Sequence, residues 1–393
     1  VRHVLYSLNR KPTMDLYMDN KKTHRRCPSD SLRAIRKGGL SLIFLLLAYS
    51  SFAQGEFITV WETSGNNQEI TIPTTGTGYN YTVDWGDGTV DANQTGDASH
   101  TYVAAGRYDV KITGDFPRIF FSGSTFSNRR LIVDVKQWGF SFWQSMEGAF
   151  FGASNLVITA QDDPLLNFVT SMESMFEECA SLTFEDFNGW NTSNVTTFKN
   201  IFRKASDFRG QIGAWNTSKV TDMSFAFEQA TNFSTTIGDW DVSQVTTMEG
   251  MFTGLSSRTR NRISDSRLGD WDVSAVTNMK DMFKFTIFGG NLNNWDVGEV
   301  TDMSGMFSNS FYRRDLDNWD VSKVETMKGM FENNTSFDNL ISTWDVSKVT
   351  DMSNMFRSST RFNQDISGWN TASVTTMEDM FNGATALDHS LAG

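Results

Sequence analysis

Residues 337–356, F-D-N-L-I-S-T-W-D-V-S-K-V-T-D-M-S-N-M-F, are one copy of a unit that the chain repeats about ten times. The tryptophan of this copy, Trp344, defines position zero. Along the chain this position is filled by Trp138, Pro164, Trp190, Trp215, Trp240, Trp271, Trp295, Trp319, Trp344 and Trp369, at steps of 26, 26, 25, 25, 31, 24, 24, 25 and 25 residues. A period of this length predicts stacked repeats, each of which buries its apolar face only against its neighbours.

Apolar residues recur at fixed offsets from the tryptophan, with valine at +5, methionine at +8 and phenylalanine at +12, as in Val349, Met352 and Phe356. The offsets +5, +8, +11, +12 and +15 have helical spacing, whereas −3, 0 and +2 suit a short strand with one face inward. Thr246 with Glu249, and Thr375 with Glu378, have the spacing of a capping box, which places a helix start at +6. Each repeat is therefore predicted to contain a short strand, a turn and about two helical turns.

These features predict the fold class. The period and the strand-plus-helix unit indicate an α/β repeat solenoid of the leucine-rich-repeat type, with short parallel strands and short helices. Ten strands stacked at ~4.8 Å would form a parallel sheet roughly 45–50 Å long. The alternating pattern of the segment before the repeats predicts that the solenoid is preceded by a small all-β immunoglobulin-like sandwich.

The repeat motif W-D-V-S-x-V-x-x-M-x-x-M-F, with F-N-x-x-I before the tryptophan, resembles the BspA-like leucine-rich-repeat surface proteins of bacteria. The resemblance covers residues 120–393. It implies export, residence at the cell surface or outside the cell, and a role in adhesion or protein binding.

A second resemblance lies in residues 54–117, which alternate β-branched and aromatic residues and are similar to the PKD module, an immunoglobulin-like sandwich of secreted and surface proteins. The stretches Trp85-Gly86-Asp87-Gly88 and His100-Thr101-Tyr102 carry this resemblance. Two interpretations are open for the Asp84 and Asp87 carboxylates: they bind calcium, or they accept hydrogen bonds from their own turn.

The N-terminal 53 residues are typical of a leader. Basic residues precede an apolar run at 40–48, and Ser51 and Ala53 fit the −3 and −1 positions of a signal-peptide cleavage site. The leader holds ten of the 34 Lys and Arg but three of the 46 Asp and Glu, so the remaining chain carries a net charge of about −19. This charge argues against binding to nucleic acid or to an anionic membrane. Cys27 and Cys179 cannot form a disulfide framework.

The candidate binding residues lie where the period breaks. The 31-residue step inserts about six residues around 256–262, and Arg258, Arg260, Arg262 and Arg267 fall there in an otherwise acidic domain. They could bind an anionic glycan or an acidic protein surface. They could equally form a solvated bulge that pairs with neighbouring carboxylates.

A carbohydrate-cleaving enzyme is the alternative function. Aspartates occupy +1 in five successive repeats, for example Asp296 and Asp320, and stacking would bring them ~5 Å apart, close to the separation used by retaining glycosidases. Asparagine replaces aspartate where +2 is threonine, which favours an Asx turn instead. Outside the leader only His100 and His389 remain, so the sequence predicts no catalytic triad, no His-rich metal site and no cofactor.

The sequence thus predicts a leader at 1–53, a PKD-like sandwich at 54–117, a junction and N-terminal cap at 118–137, and repeats at 138–393. The expected function is non-catalytic binding or adhesion to an extracellular protein or glycan, after secretion to the medium or the bacterial surface. A structural surface spacer is a further alternative. The repeats stop one residue before the next expected tryptophan, which predicts that the natural chain continues.

Overall fold

The structure, a computed structural model, describes residues 55–183 and 185–389. The predicted leader, its cleavage site after Ala53 and Cys27 lie outside these residues. Within the described part of the chain, no helix is long and apolar enough to cross a membrane.

The N-terminal part of the described chain is built from strands, and the repeats contain few regular elements. The strands are β1 (Phe57–Thr63), β2 (Gln68–Ile72), β3 (Asn80–Asp84), β4 (Val90–Gln94), β5 (Ala98–Tyr102), β6 (Gly106–Asp115), β7 (Ile132–Gln137), β8 (Val157–Ile158), β9 (Asn261–Ile263) and β10 (Thr286–Phe288). The helical segments are α1 (Phe126–Arg129) and two 3-10 turns, Phe121–Gly123 and Ser266–Asp270.

The N-terminal strands form two sheets. The larger has the order β4-β3-β6-β1-β7-β8, and the smaller pairs β2 with β5. Strand β1 lies antiparallel to both β6 and β7, whereas β7 and β8 are parallel. The larger sheet therefore continues past residue 117 and ends on the segment from which the repeats begin.

Aromatic side chains join this sheet to the first repeats. Trp143 meets Phe57 of β1 edge to face at a ring separation of 5.0 Å, and Phe121 packs on Trp61 at 5.8 Å. All four side chains are fully buried. The N-terminal sheet and the repeats consequently share one apolar core.

The expected α/β leucine-rich-repeat-like solenoid is wrong. Among the described residues, helix is limited to α1 and the two 3-10 turns, so no helix occupies offsets +5 to +15. No strand surrounds the tryptophans, and the regular strands in the described repeats are limited to the two-residue β8 and the short pair β9–β10, beside isolated parallel bridges. The long parallel sheet expected from ten stacked strands is therefore absent from the described chain, and its sheets do not form a solenoid.

Backbone hydrogen bonds in the repeats run both within one repeat unit, here called a rung, and from that rung to its neighbours. From the Pro164 rung onward, each rung contributes a parallel bridge residue at +7, as in the Asp222–Thr247 pair. From the Trp215 rung, the N–H groups of Met223, Phe225, Phe227 and Gln229 donate to the carbonyls of Thr247, Glu249, Met251 and Thr253 at 3.1, 2.7, 2.9 and 2.7 Å. Because alternate N–H groups point to the neighbouring rung, they are not free to build an α-helix.

Left-handed residues at +10 and +14 explain why the helical spacing does not give a helix. In the Trp215 rung these are Phe225 (φ 56°) and Gln229 (φ 57°), and Gly305 (φ 64°) fills +10 in the Trp295 rung. Short turns lie between them; for example, the Ala226 N–H donates to the Met223 carbonyl at 3.2 Å. A left-handed residue at every fourth position prevents a continuous right-handed helix. The successive tight turns that form instead place the residues at +8, +11, +12 and +15 inward.

The predicted capping boxes are also wrong. The hydroxyl of Thr246 donates to the carbonyl of Thr221 in the preceding rung at 3.1 Å, and Thr375 donates to Thr350 in the same way at 2.9 Å. Glu249 pairs instead with Lys280 of the next rung at 3.1 Å. These threonines thus stabilise the stacking of rungs and do not begin helices.

The stacked columns form the core, as the apolar offsets predicted. Ring centroids in the +12 column lie 5.6–5.8 Å from their neighbours through Phe150, Phe176, Phe202, Phe227, Phe252, Phe283, Phe307, Phe331, Phe356 and Phe381. Val349, Met352 and Phe356 of the quoted repeat are fully buried. The side chains of these columns are buried and unavailable to a partner, so binding surfaces must lie at the exposed positions between them.

Candidate functional site

The insertion responsible for the 31-residue step leaves the stack after Gly254 and returns at Asn261. Asn261 pairs with Thr286 in the β9–β10 ladder, which is the +15 position of the next rung, so the extra residues are 255–260. The fully buried Asn261 amide donates to the carbonyls of Phe227 (3.2 Å), Phe252 (3.0 Å) and Thr253 (3.3 Å). This side chain fixes the inserted loop to the stack at its C-terminal end.

Internal hydrogen bonds give the inserted loop a defined shape. The Leu255 N–H donates to the Thr259 carbonyl at 3.1 Å, and the Thr259 N–H donates to the Ser256 carbonyl at 3.1 Å. Ser256 Oγ also accepts from the N–H of Arg258 at 3.3 Å. Leu255, Arg258 and Thr259 are exposed on this turn.

Arg260 is held at the base of the loop. Its guanidinium carbon lies 4.3 Å from the centre of the Phe311 ring, and Nε donates to the Asn309 carbonyl at 2.9 Å. Nη1 donates to the carbonyl of Ser257. Burial lowers the pKa of the Arg260 guanidinium. Two backbone oxygens and an aromatic ring thus orient this cation.

Arg262 lies in β9 and faces solvent, because its neighbours Asn261 and Ile263 are buried. It is in register with Ile287 of β10, and the N–H of Phe311 in the following rung donates to Thr286 of β10 at 3.4 Å. The strip beside the loop therefore runs from the exposed Arg262 across the half-buried Ile287 to the exposed Phe311.

Sequence reasoning missed two further arginines on this strip. Arg313 and Arg314 are exposed and follow Tyr312, and Arg314 Nε donates to the Gly289 carbonyl just after β10 at 3.1 Å. The signal was present in the sequence: Tyr312 stands at the same offset as Phe288, so the next residues had to lie beside the strip.

Arg267 is not part of this group. Its Nη1 lies 2.6 Å from Asp239 Oδ2 and its Nη2 lies 3.1 Å from Asp265 Oδ2. The same Asp265 oxygen accepts the N–H groups of Ile237 (3.0 Å) and Gly238 (2.7 Å). The hydrogen bonds that Arg267 donates to Asp265 and Asp239 raise the pKa of its guanidinium. Its pairing with neighbouring carboxylates follows the second of the two interpretations left open by the sequence.

We call the remaining group the arginine face. It comprises Leu255, Arg258, Arg260, Arg262, Phe311, Arg313 and Arg314. Within the part of the chain that the structure describes, none of its five guanidinium groups forms an ion pair. Two large apolar side chains are also exposed here, Leu255 at 55% and Phe311 at 38%. In a chain with an acidic excess, unpaired cations beside exposed apolar groups form a distinctive surface.

The aspartate column at +1 forms Asx turns, as the Asp-to-Asn exchange predicted. Asp320 Oδ1 accepts the Ser322 N–H at 3.0 Å, and Asn216 Oδ1 accepts the Ser218 N–H at 3.1 Å. Hydrogen bonds from Ser322 lower the pKa of Asp320. A lowered pKa suits a structural acceptor and is the opposite of what a general acid requires.

The Asp84 and Asp87 carboxylates are engaged by their own turn. Asp84 Oδ1 accepts the Gly86 N–H at 3.0 Å, and Asp87 Oδ1 accepts the Thr89 N–H at 3.0 Å. Asp87 Oδ2 lies 2.8 Å from His100 Nε2. No group of three or more His, Cys, Asp or Glu in the described chain could hold a metal ion.

A cavity of about 400 Å³ marks the other break in the repeat, where Pro164 replaces tryptophan. Without an indole in that rung, Trp138 and Trp190 meet edge to face at 5.4 Å. Their neighbour Glu185 lines the cavity, and its Oε2 is buried without a hydrogen-bond partner. Burial raises the pKa of this carboxyl against the opposing effect of backbone hydrogen bonds. The proline was visible in the sequence, but the cavity was not predicted from it.

Comparison with known proteins identifies the repeats. A family model described as "Mycoplasma protein of unknown function, DUF285" matches residues 170–265, 258–311 and 309–393, which together make up more than half of the chain. No curated protein and no solved structure matches the chain.

Proposed function

Since the chain belongs to the family described as Mycoplasma protein of unknown function, DUF285, we propose that it is a secreted or cell-surface repeat protein that binds a macromolecular partner. The arginine face is the proposed contact surface. The partner is an extracellular protein or glycan.

The single observation that carries this proposal is the set of unpaired arginines on the inserted loop and its neighbouring strip. Several basic side chains elsewhere pair across rungs, for example Lys199 with Glu173 at 3.3 Å and Lys323 with Glu299 at 2.5 Å. Arg258, Arg260 and Arg262 have no such partner in the described chain. Cations left without internal partners are available to an external one.

Two sequence resemblances support residence at the surface. The W-D-V-S repeat motif resembles that of BspA-like surface proteins, and residues 54–117 resemble a PKD module. The leader-like residues before Gln54 favour export and cleavage near Ala53. We therefore include secretion or display on the bacterial surface in the proposal.

The proposed function is binding without catalysis. In the aspartate column, which was the candidate for glycoside cleavage, one carboxylate oxygen accepts a backbone N–H of its own turn, as in Asp296 and Asp345. A panel of polysaccharides incubated with the secreted protein tests this part. New reducing ends that disappear in Asp296→Asn would contradict it.

Binding is tested by titrating fluorescent secreted protein onto intact host cells and neighbouring bacterial cells. We expect saturable binding by the wild type and at least about tenfold weaker binding when Arg258, Arg260 and Arg262 are changed to Ser, because charged hot-spot residues each contribute on this scale.

The matched control changes Lys328, Lys348 and Arg361 to Ser. These side chains are exposed and form no ion pair in the described chain, so the control removes the same charge from another surface. Equal loss in both variants would show a general charge effect and contradict the proposed contact. Binding that never saturates would favour a structural spacer instead.

A further inference from the structure

The distance between two arginines of the arginine face indicates which partner chemistry fits it. Arg260 and Arg262 are two residues apart and lie on the outward side of the chain entering β9, since Asn261 between them is buried. Side chains at alternate positions of extended backbone are separated by roughly 6.6 Å. Acidic side chains at alternate positions of another extended segment repeat at the same distance.

Apolar surface lies between the two groups of cations. Arg262, Ile287 and Phe311 lie on successive rungs, so the arginines that follow Phe311 are roughly 10 Å from β9. The exposed ring of Phe311 and the exposed side chain of Leu255 border this strip. A partner that fills it needs carboxylates on both sides of an apolar side chain.

Arg260 is prepared for such a partner. Its contacts with Phe311 and with the carbonyls of Asn309 and Ser257 already restrict the side chain, so little further ordering is needed on binding. The remaining guanidinium N–H groups stay available to a carboxylate. Arginine and aromatic residues together are also the side chains most enriched at protein–protein hot spots.

Resting on the proposed function, we propose that the arginine face binds an extended acidic segment of a partner protein, with carboxylates at alternate positions and a central apolar side chain. Charge complementarity selects the acidic groups, and Leu255 and Phe311 offer apolar contacts to the central side chain. The acidic remainder of the chain repels the partner elsewhere, which confines it to this face.

The test uses three probes with the secreted protein: a peptide of alternating Glu residues around a central Phe, the same peptide with Gln for Glu, and heparin as an anionic glycan. Fluorescence anisotropy measures binding at about 50 mM and about 300 mM NaCl. We expect the Glu peptide to bind at least about tenfold more tightly than the Gln peptide and to weaken at the higher salt concentration.

Variants assign the interaction to this face. Changing Arg258, Arg260 and Arg262 to Ser should weaken the Glu peptide at least about tenfold, and the control at Lys328, Lys348 and Arg361 should change it less than about twofold. Leu255→Ser, which leaves the ring beside Arg260 in place, should weaken the peptide but not heparin. Circular dichroism and thermal unfolding confirm that each variant is folded.

The outcomes separate this inference from the proposed function. Arginine-dependent binding of heparin without binding of the Glu peptide overturns the acidic-segment inference and leaves macromolecular binding standing. Equal binding of the Glu and Gln peptides, or peptide binding that the arginine variant leaves unchanged, also overturns the inference. Cell binding that does not depend on these arginines overturns the proposed function itself.

Discussion

The indole Nε1 of Trp295 donates a hydrogen bond of 2.9 Å to the carbonyl oxygen of Leu268 in the preceding rung. The same bond recurs at 2.8–3.1 Å for Trp215, Trp240, Trp319, Trp344 and Trp369. From Trp215 onward the exception is Trp271, which follows the inserted loop: its Nε1 is buried and has no partner. The insertion thus interrupts an otherwise regular series of bonds.

This exception allows a matched comparison. Trp295→Phe and Trp271→Phe remove the same ring volume, but only the first removes a hydrogen bond, and the second removes an unsatisfied donor. We expect Trp295→Phe to lower the free energy of unfolding by about 1 kcal/mol more than Trp271→Phe. Urea unfolding measures both values, and equal losses would show that the indole bonds do not stabilise the stack.

The left-handed residues give a test of the backbone. Gln229 has φ 57°, and both Gln229→Gly and Gln229→Ala delete its side-chain bond to Glu228. In a helix the alanine variant would be the more stable by about 1 kcal/mol, but a left-handed position favours glycine by a similar amount. We therefore expect Gln229→Gly to have the higher melting temperature. The opposite order would restore the helix interpretation.

An ion-pair chain across three rungs supports the stack on another side. Arg203 lies 2.8 Å from Glu177 and 2.5 Å from Glu228, whose side chains are only 6% and 14% exposed. Arg203→Met leaves both carboxylates unpaired, and we expect it to lower the free energy of unfolding by about 2 kcal/mol.

The control for Arg203 is its neighbour Lys204, which pairs with the half-exposed Glu178 at 2.8 Å. Lys204→Met should cost about 0.5 kcal/mol, because solvent screens exposed pairs. Urea unfolding at low and high salt measures both variants. Similar losses for the two would show that burial of Glu177 and Glu228 adds nothing to the Arg203 pairs.

The spacing of apolar residues predicted which side chains are buried, but it did not predict the path of the backbone. Burial follows side-chain spacing, so Val349, Met352 and Phe356 were placed correctly in the core. The direction of the backbone hydrogen bonds cannot be inferred from that spacing, because successive tight turns and a helix bury the same offsets. The missing signal was at +10 and +14, where glycine and asparagine, such as Gly305 and Asn309, indicate left-handed backbone.

The candidate site was predicted in part for a related reason. The break in the period located Arg258, Arg260 and Arg262, but sequence proximity also selected Arg267, which Asp239 and Asp265 hold in place. Residues from later rungs reach the same surface only through the rung register, so Arg313 and Arg314 could not be found by scanning the insertion alone.

The buried carboxyl of Glu185 predicts a pH dependence of stability. Burial raises its folded pKa above the unfolded value, so the folded state holds the proton to higher pH than the unfolded state does. The wild type should therefore lose stability as the pH rises from the unfolded pKa, about 4.3, through the folded one. Glu185→Gln cannot ionise and avoids this loss.

We accordingly expect Glu185→Gln to melt at a higher temperature than the wild type at about pH 7 and to show no advantage at about pH 3.5, below the unfolded pKa. Glu378→Gln, at an exposed carboxyl in the Trp369 rung, controls for removing one negative charge from an acidic chain. Thermal unfolding monitored by circular dichroism between these pH values measures the difference. A stabilisation of equal size at both pH values, or one matched by Glu378→Gln, would contradict the prediction. It would show that ionisation of the Glu185 carboxyl does not destabilise the folded protein.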